Sequence, residues 1–324
     1  MSEPLLQVDD LVVSFTGARR GWFGPRSELR AVDGVSFSVA PGEVLGLVGE
    51  SGCGKSTTAR AICRLVAPHS GRVRFAGTDL LTLTGSALRT ARRGLQMVFQ
   101  DPFASLDPRY TCRRIIAEPL EGFGLASGEQ ARQRVDQLMQ QVGLDPSMAD
   151  RYPHEFSGGQ RQRIGIARAL AAEPQVLLCD EPVSALDVSV QAQIINLLLE
   201  LRRELGLAMV FIAHDLAVVR HVADRIAVMY AGRIVEQAPA DTLFANPRHP
   251  YTEALLAAIP IPDPTAPAII SQISGEPPSP HQAWAGHCAF APRCPHATEA
   301  CHSGAPELIT EADGRIHRCP PRQA

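Results

Sequence analysis

Few stretches of sequence restrict a backbone as tightly as Gly49-Glu50-Ser51-Gly52-Cys53-Gly54-Lys55-Ser56, which follows directly on the apolar run Val44-Leu45-Gly46-Leu47-Val48. A short, unbroken apolar run reads as a strand covered on both faces, as in a parallel sheet. The glycines after it let the main chain curl until its amides converge, and a helix predicted from near Thr57 adds its partial positive end. Strand, loop and helix in that order make a cradle for phosphate oxygens, with Lys55 reaching the β- and γ-phosphates of a nucleotide and Ser56 on magnesium. Lys55 is the only lysine; every other basic residue besides histidine is arginine. That skew reads as codon bias, and a lysine that survives it stands where arginine cannot serve.

The remaining pattern extends this start into an α/β core. Buried strands recur at Val176–Cys179 and Met209–Ala213, separated by helical spacing over Ser189–Glu204. Residues 5–15 and 35–39 alternate like strands, and Gly17 to Arg30 between them reads as a solvated loop. Its Trp22 and Phe23, beside Arg19, Arg20 and Arg26, offer a second reading as a contact with a partner or a membrane face. From about Thr111 to Glu155 the spacing turns helical. Ser127-Gly128-Glu129-Gln130 has the form of a capping box, Val135, Leu138, Met139 and Val142 follow on one face, and Gly143 stops the helix. Ile226–Tyr230 and Arg233–Gln237 flank Ala231-Gly232 as a hairpin, and frequent proline from Pro239 onward marks a boundary near residue 240. The expected division is a main domain over 1–240, with a helical subdomain near 101–170, and an extension over 241–324.

Composition narrows the classes. With 324 residues, 45% hydrophobic and 20% charged, the chain is neither disordered nor fibrous and can bury a sizeable core. A net charge of −3 supplies no long-range field to gather nucleic acid. No stretch approaches the roughly 18 apolar residues of a membrane span, and Met1 to Asp10 lacks the form of a signal peptide. The expected compartment is the cytoplasm.

Two further sites carry chemistry. Val176 to Cys179 runs into Asp180-Glu181, two carboxylates at the end of a buried strand, an arrangement that asks for a cation or a reacting group. Asp180 can hold magnesium, and Glu181 can polarise the water that attacks a γ-phosphate. Ser157-Gly158-Gly159-Gln160 opens a second helix as another anion nest. One nucleotide does not need two such helix ends from the same subunit, so this one is expected to serve the ATP of a neighbour.

With these residues in place the sequence resembles the ATP-binding subunits of ABC transporters. Phe156-Ser157-Gly158-Gly159-Gln160 matches their signature in all but its first residue, usually leucine. The resemblance implies a P-loop ABC ATPase domain: a mixed sheet core, an antiparallel β subdomain and a helical subdomain. It makes Gln100 the glutamine that senses magnesium and contacts the membrane subunit, Ser184-Ala185-Leu186-Asp187 the D-loop, His214 the switch histidine near the γ-phosphate, and Phe15 the aromatic on adenine. Gln100-Asp101-Pro102-Phe103 with its flanks, and Asn246-Pro247-Arg248-His249-Pro250-Tyr251-Thr252, resemble the oligopeptide/dipeptide and nickel importers, and the phosphate loop is nearest to the second ATPase of their pair. The implied partners are a paralogous ATPase rather than a second copy, two membrane permease subunits and an extracytoplasmic solute-binding protein. The implied place is the cytoplasmic face of the membrane, with no nucleic acid. Import of nickel or another small solute, and a soluble ABC ATPase acting on nucleic acid, stand as alternatives.

Cys288, Cys294, Cys301 and Cys319 crowd the last 37 residues as C-x5-C-x6-C-x17-C. A reducing compartment argues against disulfides and leaves a thiolate metal site, a [4Fe-4S] cluster or structural zinc, with His287, His296, His302 and His317 as substitute ligands. The importer resemblance favours iron. A third functional reading makes this tail a redox or iron sensor acting on the ATPase.

Overall fold

Short apolar runs alternating with amphipathic segments fold here into the expected α/β arrangement. The computed structural model describes residues 3–19, 26–259, 275, 278 and 286–319. The strands are β1 (Leu6–Arg19), β2 (Arg26–Val39), β3 (Val44–Val48), β4 (Ser70–Phe75), β5 (Thr78–Asp79), β6 (Leu95–Val98), β7 (Val176–Asp180), β8 (Ala208–Ala213), β9 (Arg225–Tyr230), β10 (Arg233–Pro239), β11 (Ile309–Thr310) and β12 (Ile316–His317). The helices are α1 (Lys55–Ile62), α2 (Gly85–Arg93), α3 (Cys112–Gly122), α4 (Gly128–Gln141), α5 (Gly158–Ala171), α6 (Val188–Leu205), α7 (Leu216–Val222), α8 (Ala240–Ala245), α9 (Pro250–Ala257) and α10 (Glu299–Ser303). Among the described residues no helix is long and apolar enough to cross a membrane.

The chain packs as two units, each assembled from several stretches. The first comprises Met1–Leu6, Ser38–Val44 and Arg74–Ile212. In it β6, β7 and β8 run parallel, with Leu95 opposite Val176 and Val176 opposite Ala208. All five residues of β7 are buried, as the unbroken apolar run required. The helical insert is α3, α4 and α5. Val135, Leu138, Met139 and Val142 are wholly buried, so the spacing identified the inward face of α4 correctly. Arg113 on α3 ties that insert together through Asp136 at 2.9 Å and Asp150 at 3.0 Å. Ser127 stands at the N-cap of α4, but its hydroxyl accepts no helix bond, so the expected capping box is not made. Gly128, the first helical residue, has φ +55°, and the first turn closes on the serine's carbonyl oxygen, through the Ala131 N–H at 3.4 Å, instead of on its hydroxyl.

The second unit comprises Gln7–Phe37, Leu45–Val73 and Ala213–Ala324. Its strands follow the order β11-β12-β10-β9-β3, with β3 parallel to β9 from Leu45 opposite Arg225 to Val48 opposite Val228. The hairpin β9–β10 turns at Ala231-Gly232 as the sequence indicated. The outer side of β10 is covered by the tail, where Glu236 faces His317 and Gln237 faces Ile316. In the β subdomain, β1 lies between β2 and β4. The loop expected over Gly17 to Arg30 is largely strand: β1 continues to Arg19 and β2 begins at Arg26, because backbone pairing outlasts the apolar alternation used to bound it. Arg20, Trp22 and Phe23, read as a partner or membrane contact, lie outside the described residues.

Gly46 of β3 packs directly against α7, since a Cβ there would meet Val219 Cγ1 at 2.3 Å and Ala223 Cβ at 3.1 Å. Gly46→Ala should therefore destabilise the chain by roughly 1–3 kcal/mol. A urea titration followed by circular dichroism checks this, and an unchanged midpoint would mean that α7 yields freely.

Candidate functional site

The phosphate loop leaves β3 at Gly49 and enters α1 at Lys55, two residues earlier than the helix start expected near Thr57. Its glycines are imposed by backbone neighbours. A Cβ on Gly49 would lie 2.1 Å from the Met229 carbonyl oxygen, and one on Gly54 would lie 2.3 Å from that of Ala31. Gly52 has open space around it but a φ of +80°, which selects glycine by conformation alone. Ser51 and Gly52 are exposed at the tip, whereas Cys53, Gly54 and Lys55 are buried beneath it, and Ser56 and Thr57 are half-buried in the first turn of α1. The Lys55 ammonium donates to the carbonyl oxygens of Gly49 at 2.7 Å and Glu50 at 3.0 Å, which folds it over the concave side of the loop. Burial pushes the Cys53 thiol up, so the loop carries a neutral sulfur beside that ammonium.

Glu50 is held twice. Its backbone N–H donates to the Tyr251 hydroxyl at 2.8 Å, and its carboxylate receives both terminal nitrogens of Arg293, at 2.8 and 2.9 Å. Arg293 also donates to the Tyr230 hydroxyl at 3.2 Å, and its hydrogen bonds to Glu50 raise its pKa above the ordinary guanidinium value. Sequence reasoning assigned neither Arg293 nor Tyr230 a role and used Tyr251 only as part of a subfamily pattern. One arginine among thirty-one basic residues carries no signal of its own. The same unit carries His214, exposed just after β8, and Phe15, exposed on β1.

In the first unit β7 delivers the two carboxylates into different surroundings. Asp180 is wholly buried, and Glu181 is half-buried with φ +45°. A left-handed glutamate costs on the order of 1–3 kcal/mol and persists only where its surroundings hold it. Here its N–H donates to the Ile212 carbonyl at 3.1 Å, and its own carbonyl accepts the Ser184 hydroxyl at 3.1 Å. Gln100 is brought to it: the amide Nε2 donates to Glu181 Oε2 at 2.8 Å. The signature closes on itself as a capping box, with Gln160 N–H donating to Ser157 Oγ at 3.3 Å and Ser157 N–H donating to Gln160 Oε1 at 3.0 Å. Gly159 packs so tightly on α6 that a Cβ would meet Val190 Cγ1 at 2.5 Å, while Ser157 and Gly158 face out. Phe156 is buried, so its side chain serves packing, and Asp187 is exposed at the N-cap of α6.

Ser56, Gln100 and Asp180 offer a hydroxyl, an amide carbonyl and a carboxylate, all hard oxygen donors of the kind magnesium takes. The tail cysteines differ. None of the four is in a disulfide and all are half-buried, and the Cys288 thiol is raised first by burial and then by neighbouring Cys301 and Cys294. Among the described residues, however, no group of three or more Cys, His, Asp or Glu converges as a metal site. The expected cluster or zinc is therefore not assembled in this structure, because donors of suitable softness do not meet at one point.

The family described as ABC transporter matches residues 32–184, and that described as oligopeptide/dipeptide transporter, C-terminal region, matches residues 235–301. The chain is 53% identical over 320 residues to a probable peptide ABC transporter ATP-binding protein, y4tS, of Sinorhizobium fredii, covering 98% of this chain and 90% of that protein. It is 52% identical over 310 residues to the oligopeptide transport ATP-binding protein OppF of Salmonella typhimurium, covering 94% and 92% of the two. Among solved structures, a post-hydrolysis dimer of the ATP-binding cassette MJ0796 bound to ADP and Pi superposes with a TM-score of 0.65 at 29% identity, covering 72% of this chain and 98% of that one. The cbiO1 protein of Clostridium perfringens, part of the cbiONQ transporter complex, superposes with a TM-score of 0.63 at 28% identity, covering 76% and 92%. Fold and site together define an ABC-type ATPase, with its mixed α/β core, β subdomain and helical insert. More narrowly, the chain belongs to the ATP-binding subunits of oligopeptide/dipeptide ABC transporters.

Thiol chemistry tests the burial described above. Desolvation pushes Cys112 up to about 12 and raises Cys53 and Cys179 as well, which lowers their thiolate fraction at pH 8. Cys63 is also buried. A chromogenic disulfide reagent at pH 8 should thus modify at most the four tail thiols of the native chain, with Cys288 the slowest of them because burial raises it too, and all eight in guanidinium. Rapid reaction of more than four in the native chain would contradict the packing of β7 and the phosphate loop.

Proposed function

We propose that this subunit hydrolyses ATP at the cytoplasmic face of the membrane to power uptake of dipeptides or oligopeptides through an ABC transporter. The observation that carries the reading is identity of half or more, over nearly the whole chain, to proteins named for peptide transport. None of the cited sequence relatives is named for nickel or for nucleic acid. Two permease subunits, an extracytoplasmic binding protein and a paralogous ATPase complete the assembly. Residues 1–240 act as the ATPase domain, the helical subdomain near 101–170 transmits closure to the permeases, and 241–324 form the extension.

In this reading the loop Gly49–Ser56 takes the phosphates on its backbone amides and on Lys55, with Thr57 in the first turn behind it, and Phe15 stacks on the adenine. Ser56, Gln100 and Asp180 hold magnesium, which when bound offsets phosphate charge. Glu181 accepts a proton from the attacking water as the new oxygen bond to the γ-phosphorus forms and the bond to the β-phosphate oxygen breaks, leaving ADP and phosphate. Gln100 suits two tasks, because an amide donates through nitrogen and accepts through oxygen: its Nε2 holds Glu181 and its carbonyl is left for the cation. His214 contacts the γ-phosphate. Ser157, Gly158, Gly159, Gln160 and Asp187 serve the nucleotide of the paralogous ATPase, so closure of the pair is the two-state element that drives transport.

For the tail, the finer reading of a [4Fe-4S] cluster or zinc on Cys288, Cys294, Cys301 and Cys319 is supported by donor chemistry and spacing and not by the geometry. Iron, sulfide and zinc analysis of anaerobically purified chain decides it.

Glu181→Gln keeps the shape of the side chain and removes its basicity. In the assembled transporter it should bind MgATP as the parent does while turnover falls by about 100-fold or more. Turnover at the parental rate would remove Glu181 from its role.

A further inference from the structure

We propose that Arg293, carried by the cysteine-bearing tail, is a positioning residue for the phosphate loop, and that nucleotide affinity depends on its grip on Glu50. This rests on the reading that Gly49–Ser56 binds nucleotide. Arg293 closes a single 3-10 turn, Ala291–Arg293, flanked by Cys288 and Cys294. The Ala291 N–H donates to the Cys288 carbonyl at 3.0 Å and the Cys294 N–H to the Ala291 carbonyl at 3.3 Å, so the backbone of the two cysteines defines the turn. From there the side chain reaches 243 positions back along the sequence to Glu50, where it is only 7% exposed.

The geometry is that of a clamp. Two parallel charge-assisted bonds fix both position and orientation of the Glu50 carboxylate, which one bond from a lysine could not do. Arg293 is itself held over the Tyr230 ring, 5.8 Å from its centroid, and by the Tyr230 hydroxyl. Tyr230 packs on Tyr251 at 4.5 Å and edge-on to Phe290 at 5.3 Å, and Phe290 lies edge-on to Tyr251 at 5.4 Å. Phe290 is three residues from Arg293, and Tyr251 accepts the Glu50 N–H. The tail, α9 and β9 thus converge on the second residue of the phosphate loop, gripping its side chain and its main chain. Without the guanidinium a half-buried carboxylate would stand uncompensated in a loop that must receive a polyanion, and the loop's curvature would lose its outer support.

Fluorescent-analogue displacement on the full-length chain measures the dissociation constant for MgATP. Arg293→Met should raise it about tenfold and Arg293→Lys about threefold or more, since charge without the fork does not restore the grip. Tyr251→Phe, which deletes only the acceptor of the Glu50 N–H, should also weaken binding. In a Glu50→Gln background, Arg293→Met should cost less than about twofold, because the clamped charge is already gone. The same loss in both backgrounds would mean that Arg293 acts only by folding the tail and would overturn the proposal. Parental affinity in Arg293→Lys and Tyr251→Phe together would overturn it too, and these volume-conserving variants carry the test if Arg293→Met does not fold. A parental chain that fails to bind MgATP would instead sink the nucleotide reading on which the proposal stands.

Discussion

Two carbonyl oxygens govern this molecule. Those of Met229 and Ala31 press so closely on Gly49 and Gly54 that neither position can carry a side chain, and the main chain between them has one way to turn. That turn directs Lys55 into the concavity and starts α1 at the same residue, so the cationic group and the helix end act at one place. Met229 belongs to β9 and precedes Tyr230, which supports Arg293. The strand that shapes the loop from below therefore also carries the platform for the group that holds it from the side.

The other unit concentrates its chemistry differently, at the end of one wholly buried strand. Its last residue, Asp180, is sealed from water, and the next, Glu181, is twisted into a left-handed conformation that turns it toward Gln100. A change of handedness over one peptide separates a wholly buried carboxylate from a half-buried one that Gln100 reaches. The signature helix uses economy of another kind. Ser157 and Gln160 cap each other, which fixes the serine while leaving it exposed.

Much of this was legible before any coordinates, and the reason is chemical. Phosphate loops, strand-end carboxylates and capped glycine turns need particular residue types at particular spacings, so Gly49–Ser56, Asp180-Glu181 and Ser157–Gln160 could be read directly. The inward face of α4 was legible for the same reason, since helical period leaves a mark on residue choice. What escaped was decided by long-range contact. Arg293 looks like any other arginine until the tail brings it to Glu50. The strands β1 and β2 outrun their apolar alternation because pairing is a property of two backbones. The Ser127 box matched in composition and failed in geometry because Gly128 departs from helical φ. The tail cysteines share the right chemistry without a shared centre, a distinction that spacing alone does not express.

The tail also borders the sheet. Beyond the β9–β10 hairpin, β12 lies antiparallel to β10, Arg318 N–H donates to the Val235 carbonyl, and the buried Glu236 carboxylate receives the N–H groups of Arg248 and His249. A gene shortened to the nucleotide-binding cassette alone would end on a naked strand with an orphaned acid in its middle, an open template for a neighbouring molecule to extend. The extension thus closes an edge that would otherwise be open to pairing, a constraint any attempt to miniaturise the cassette inherits.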